Sequence, residues 1–158
     1  MSKKKILVVE DETIVSKEIK IRLENLGYEV VGSVNTGEEA IPKAEELSPD
    51  LVLMDIKLKG KMNGIEAAKE IRSKIDIPVV FLTAYADEYT FRQAQSTDPF
   101  GYIVKPFNER ELRIVIEIAL YKFQAEQEKN RLIEKLQKAL AEIKTLRGII
   151  PICASCGK

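Results

Sequence analysis

Short, wholly apolar runs that each stop at a polar side chain recur along this chain, and they limit the fold more than any other feature. KILVV (5–9) runs into Glu10-Asp11-Glu12, LVLM (51–54) into Asp55, and IPVVFL (77–82) into Thr83. A run apolar at every position belongs to a strand covered on both faces, since a strand with one wet face alternates instead. Tyr28–Val34 and Phe100–Val104 are two further strand candidates, the latter ending in Lys105-Pro106.

Helical spacing fills the intervals. Ile14, Val15, Ile19, Leu23 and Leu26 recur along Thr13–Leu26, with Gly27 as the C-terminal cap. Thr36-Gly-Glu-Glu39 has capping-box form and starts a helix to about Leu47, with Pro42 inside it. Gly64–Lys74 carries Ile65, Ala68 and Ile71 on one face, and a polar helix is expected from Asp87 to about Ser96. Five strands alternating with helices predict an α/β fold, a parallel sheet with helices on both faces. Short crossovers of this kind wind right-handed. Ligands of such sheets sit beyond the carboxyl ends of the strands. That rule gathers Glu10, Asp11, Asp55, Thr83 and Lys105 at one edge, although they are distant in sequence.

The chemistry available to that set is narrow. The chain contains no histidine, which excludes Ser-His-Asp and Cys-His catalysis and His-ligated metals. Three carboxylates at one edge call for a cation, and an all-oxygen donor set favours a hard ion such as Mg²⁺. Magnesium sites leave room for phosphate oxygens, and an aspartate can act as a nucleophile and become an acyl phosphate. A metal, a lysine and a hydroxyl would neutralise the transferring oxygens, and Lys105 and Thr83 are the right types.

VVEDE (8–12), LMDIKLKGKMNG (53–64), FLTAY (81–85) and GYIVKPF (101–107) together resemble the receiver domain of two-component response regulators. The resemblance covers about residues 4–121 and implies a flavodoxin-like, doubly wound five-stranded parallel sheet of order 2-1-3-4-5. It implies Asp55 as phosphoacceptor, Asp11 as a direct Mg²⁺ ligand, Glu10 as a ligand through water, and the backbone carbonyl of Lys57 as the third protein ligand. Thr83 and Lys105 would hold phosphoryl oxygens, Thr83 and Tyr102 would form the switch, and Lys105-Pro106 would be a cis peptide. Tyr85 would shape water access. The sequence departs from the family at two places. The acidic pair is Glu10-Asp11 where Asp-Asp is usual, and the step from Asp55 to Gly64 is nine residues with no proline where eight with a proline is common.

The final stretch exceeds what one such domain needs. From the box-like Asn108-Glu-Arg-Glu111 to Arg147 there is neither Pro nor Gly, which predicts a helix of about 39 residues, about 60 Å long. Leu112, Val115, Ile116, Ala119 and Leu120 would pack on the sheet. Leu132, Leu136, Ala139, Ile143, Leu146 and Ile150 then alternate steps of four and three, a coiled-coil seam. The expected organisation is a receiver domain at 1–121 and a coiled-coil helix with a cysteine-containing tail at 122–158. A parallel homodimer through residues 123–150 would bury the seam. Cys153 and Cys156 are half of a zinc ligand set or simply part of a flexible tail.

Lys plus Arg equals Asp plus Glu at 25 each, which leaves no net field toward nucleic acid or a membrane surface. No apolar segment approaches the length of a membrane span, and the basic start precedes too short an apolar run for a secretory signal, so a cytoplasmic location is expected. The expected function is an Mg²⁺-dependent phosphoacceptor switch, not a turnover enzyme, charged on Asp55 by a histidine kinase or a histidine phosphotransfer protein. The alternatives are a receiver-fold dimerisation scaffold or a fragment of a larger signalling protein. An aspartyl-phosphate hydrolase would need an acid two residues beyond the nucleophile, and position 57 is Lys.

Overall fold

The computed structural model describes residues 3–84, Arg92 and residues 99–146. In chain order the elements are β1 (Lys5–Val9), α1 (Thr13–Asn25), β2 (Glu29–Val34), α2 (Gly37–Leu47), β3 (Leu51–Asp55), α3 (Gly64–Lys74), β4 (Val79–Thr83), β5 (Gly101–Val104) and α4 (Glu109–Leu146). The five strands form one sheet, all neighbours parallel, in the order β2-β1-β3-β4-β5, as expected.

Alternation along the three inner strands divides the core into two layers. Leu7, Val9, Val52, Met54, Val79 and Phe81 face α2 and α3, where Ala40, Ala44, Ile65, Ala68 and Ile71 meet them. Ile6, Val8, Leu51, Leu53, Val80 and Leu82 face the other way, against Ile19 and Leu23 of α1 and Leu112, Ile116 and Ala119 of α4. All six inward residues of each inner-strand set are essentially without solvent exposure, so neither face of β1, β3 or β4 can carry a polar side chain cheaply. This is why the sequence shows runs instead of alternation. Each fully buried aliphatic side chain contributes about 1.5–3 kcal/mol relative to exposure.

Several local details differ from the sequence expectation. Ile14 is 82% exposed, and the inward position on that turn of α1 is taken by Ser16, whose hydroxyl lies 2.6 Å from that of Ser33 on β2. Pro78 stays outside β4. Lacking an N–H, it contributes only its carbonyl, which accepts from the Val52 amide. Thr36 caps α2 by accepting from the Glu39 amide, but the Glu39 carboxylate accepts from the Thr36 hydroxyl and does not return to the backbone, so the box is half formed. A complete capping box stands instead at Asn63 and Glu66, where α3 begins. Among the described residues, no helix is long and apolar enough to cross a membrane.

The chain divides into two compact units, one up to Phe123 and one from Gln124 onward. The expected helix at Asp87–Ser96, apart from Arg92, lies outside the described residues, as do Tyr85, Ile150, Cys153 and Cys156.

Candidate functional site

The sheet order reverses between β1 and β3, so the connections leaving their carboxyl ends run to opposite sides and open a crevice there. Glu10 and Asp11 follow β1 directly, and Asp55 is the last residue of β3. One carboxylate oxygen from each of the three lies within 4.8 Å of the others. Glu10 is fully buried and Asp55 is 6% exposed, unusual for side chains that are ionised in water.

Lys105 makes that burial possible. Its Nζ donates to Glu10 Oε1 at 2.7 Å and to Asp55 Oδ2 at 2.9 Å, bridging the ends of two strands from a third. The amide of Lys105 donates to the Thr83 carbonyl at 2.7 Å, which ties the end of β5 to the end of β4 and aims the side chain back across the sheet. The Lys105–Pro106 peptide is cis. The remaining oxygens are also engaged: Asp55 Oδ1 accepts from the Lys57 amide at 3.1 Å, and Glu10 Oε2 accepts from the Glu12 amide at 3.2 Å. At the start of α3, a Cβ on Gly64 would overlap the Asp55 carbonyl oxygen, so only glycine lets the helix begin this close to the end of β3.

The electrostatics follow from this packing. Burial pushes the Glu10 carboxyl up to about 7, reinforced by Asp55 beside it and opposed by the Lys105 ammonium and the Glu12 amide. Burial alone would lower the Lys105 ammonium, but its bonds to Glu10 and Asp55 outweigh that and raise it above the usual lysine value. Three carboxylates against one ammonium leave a negative surplus at this edge, which grows when Glu10 is ionised. An all-oxygen set with a negative surplus fits a hard divalent cation such as Mg²⁺, which Glu10, Asp11 and Asp55 could hold.

Thr83 is half-buried at the end of β4, and Tyr102 sits opposite Phe81 in the β4–β5 register, their ring centroids 6.2 Å apart. The structure therefore brings Glu10, Asp11, Asp55, Lys57, Thr83 and Lys105 to one sheet edge and puts Tyr102 on the adjoining strand. Sequence reasoning overlooked two features around them. One is the direct ion pair of Glu10 with Lys105. The other is Glu38 at the start of α2, whose carboxylate reaches the loop after β3.

Comparison with known proteins agrees with this architecture. Residues 6–117 match the profile of the response regulator receiver domain. Over 120 residues the chain is 38% identical to the transcriptional regulatory protein PdtaR of Mycobacterium tuberculosis, covering 76% of this chain and 58% of that protein. The chain spans about half the length of the curated relatives it matches. The signal receiver domain of a modulated diguanylate cyclase from Desulfovibrio desulfuricans G20 superposes with a TM-score of 0.75 at 38% identity, covering 79% of this chain and 99% of that one. A CheY-like receiver domain protein from Methanospirillum hungatei JF-1 gives 0.71 at 32% identity, with coverage of 79% and 99%.

Proposed function

The chain belongs to the response regulator receiver family, and from that premise we propose that it is an Mg²⁺-dependent phosphoacceptor switch charged on Asp55. The observation that carries this reading is the Lys105 bridge: one ammonium held by two buried carboxylates from different strands, beside a third acid, at a crevice of the sheet. Asp55 supplies the nucleophilic oxygen. It attacks the phosphorus of a partner's phosphohistidine, the P–N bond breaks as the acyl phosphate forms, and the imidazole leaves with the bonding electrons. Glu10, Asp11, Asp55 and the Lys57 carbonyl would hold Mg²⁺, which would supply charge neutralisation for the transferring oxygens. Lys105 follows the negative charge from the carboxylate of Asp55 to the new phosphoryl group, and the Thr83 hydroxyl donates to another of its oxygens. Movement of Thr83 toward that group would alter the packing of Tyr102, whose ring lies against the core beside Phe81, and so change the β4–β5 face that a partner meets.

The donor is a histidine kinase or a histidine phosphotransfer protein, since this chain has no histidine of its own. The location is cytoplasmic, with no role for nucleic acid or membrane in the chain itself. Incubation with acetyl phosphate and Mg²⁺ is expected to add one phosphoryl mass to the wild type and none to Asp55→Asn. An equal yield from the variant would remove Asp55 from its role.

A second reading concerns assembly. Along the later turns of α4, Leu132, Ile133, Leu136, Leu140 and Ile143 are between 44% and 62% exposed. At 3.6 residues per turn they span about 100° of the helix circumference, a stripe that a stable helix buries. Ile133 and Leu140 broaden the seam expected from Leu132, Leu136, Ala139 and Ile143. A parallel homodimer through residues 123–150 covers that stripe, and sedimentation of the whole chain against one ending at Lys122 distinguishes it from a monomer.

A further inference from the structure

The loop joining β3 to α3, residues 56–63, is one residue longer than is common in the family, and it carries the Lys57 carbonyl. Its ends are fixed by contacts already described at Asp55 and by the Gly64 amide, which donates to the Ile56 carbonyl at 2.8 Å. Its middle is held from outside. Glu38, in the first turn of α2, accepts from the Met62 amide through Oε1 at 2.8 Å. Its other oxygen, Oε2, lies 2.8 Å from where a Cβ on Gly60 would stand, and Gly60 has φ +106°, a backbone conformation that favours glycine. Thr36, the cap of the same helix, forms a parallel bridge with Lys59. Gly37 packs so closely that a Cβ would lie 3.0 Å from the Ala67 Cβ and 3.3 Å from the Met62 carbonyl oxygen. Three consecutive residues, Thr36 to Glu38, thus grip Lys59 to Met62.

We propose that Glu38 is a positioning residue for phosphoryl transfer: its carboxylate clamps the Gly60–Met62 turn to the start of α2 and thereby fixes where the Lys57 carbonyl is presented for Mg²⁺. The inference rests on the phosphoacceptor reading. Without Glu38 the far half of the loop keeps only the Thr36–Lys59 bridge and the Gly37 packing against Met62, and Lys57 is within two residues of that bridge. Glu38 itself touches none of the reacting groups, so it acts through the loop. Its side chain is exposed, and its removal costs the fold little.

The test uses the full chain with Glu38→Ala and Glu38→Gln. The glutamine retains an oxygen that can accept from the Met62 amide but carries no charge. Mg²⁺ affinity is measured from the backbone amide resonances of Asp55 and Lys57, and hydrogen exchange is followed at the Met62 amide. Loss of one hydrogen bond predicts that Glu38→Ala binds Mg²⁺ about fivefold more weakly and exchanges Met62 about fivefold faster, while Glu38→Gln stays within about twofold of the wild type. Thermal midpoints of both variants are expected to match the wild type. Wild-type Mg²⁺ affinity in Glu38→Ala overturns the clamp and leaves the phosphoacceptor reading intact. Equal weakening in the two variants also overturns it, because charge and not the hydrogen bond would then be responsible. A wild-type chain that binds no Mg²⁺ overturns the phosphoacceptor reading, and this inference with it.

Discussion

Two regions of this molecule invert the ordinary partition of side chains, and they do so in opposite senses. The carboxyl edge of the sheet buries charge, with Glu10 fully enclosed and Asp55 nearly so, while the later turns of α4 expose Leu132, Ile133, Leu136, Leu140 and Ile143. Buried ionisable groups and exposed apolar stripes are the informative exceptions in a folded chain. They differ in where compensation comes from. At the sheet edge it lies within the chain, as Lys105 bonded to both acids. On α4 the stripe is open to solvent in a single chain, and under the proposed assembly its compensation would come from a second chain. The first inversion is a site that chemistry can act on. The second is an apolar surface that the proposed dimer would cover.

The largest effect is expected where compensation is external. Leu136→Asp places a charge in the middle of the stripe, where pairing of two helices would strand it without a partner. Sedimentation is expected to return a mass near 17.9 kDa for the variant and twice that for the parent. The denaturant midpoint of the receiver unit is expected to shift by less than about 0.5 kcal/mol equivalent, because the side chain is exposed in the single chain. If Leu136→Asp sediments like the parent, the stripe is not the interface, and the contrast drawn above loses one of its halves.

The sheet edge answers to Lys105. Lys105→Met keeps much of the stem and removes the ammonium, leaving Glu10 and Asp55 buried without their partner. Breaking a buried pair from one side costs about 3–5 kcal/mol, and the 21% exposure of the lysine side chain argues for the lower end. Urea unfolding at pH 8 is expected to show that loss. Mg²⁺ should recover part of it, since the cation takes the place of the missing charge. Equal stability of variant and parent at pH 8 would mean that the two carboxylates are neutral or hydrated in the native state.

A smaller effect separates burial from pairing. Burial lifts the Glu10 carboxyl from its ordinary 4.5 to about 7. Between those values the folded chain holds a proton that the unfolded chain has released, so stability falls as pH rises from 4.5 to 7 and is level beyond. Measured against Glu10→Gln, which does not titrate, the wild type is expected to lose stability through that window. Mg²⁺ binding near pH 6 should release a proton and tighten as pH rises toward 7. A wild type that gains stability over Glu10→Gln across the window would contradict the assignment of burial as the dominant cause.

Much of this was legible in the chain, for reasons that particular residues make clear. LVLM and VVFL announce inner strands because both faces of β3 and β4 are covered, and the polar residue that stops each run marks the sheet edge. Asp55, Thr83 and Lys105 are therefore legible in the sequence as strand-end residues. What stayed hidden depends on contacts between distant segments. Ser16 turns inward in place of Ile14 because Ser33 faces it from β2. Glu38 looks like an ordinary first-turn acid until the enlarged loop is seen to lie over it. Asn63 and Glu66 have the spacing of a capping box, but only the fold shows both of its bonds closed. Local pattern gives an element and its apolar face. Which neighbour meets that face is long-range information.

The smallest effect belongs beside the α4 stripe and tests whether charge there matters at all. Arg131 pairs with Glu128 one turn away at 2.6 Å, with the two side chains 65% and 54% exposed. Exposed pairs at this spacing contribute about 0.3–0.5 kcal/mol at most, because water screens them and holding two long side chains together costs entropy. Glu128→Ala is therefore expected to leave the association constant within about threefold of the parent and its helical content by circular dichroism unchanged, with any difference vanishing in 0.5 M salt. A loss of association comparable to that of Leu136→Asp would show that the interface is read by charge and not by the apolar stripe. The compensation for the exposed leucines and isoleucines would then have to be sought in a differently charged partner, not in a second copy of the same helix.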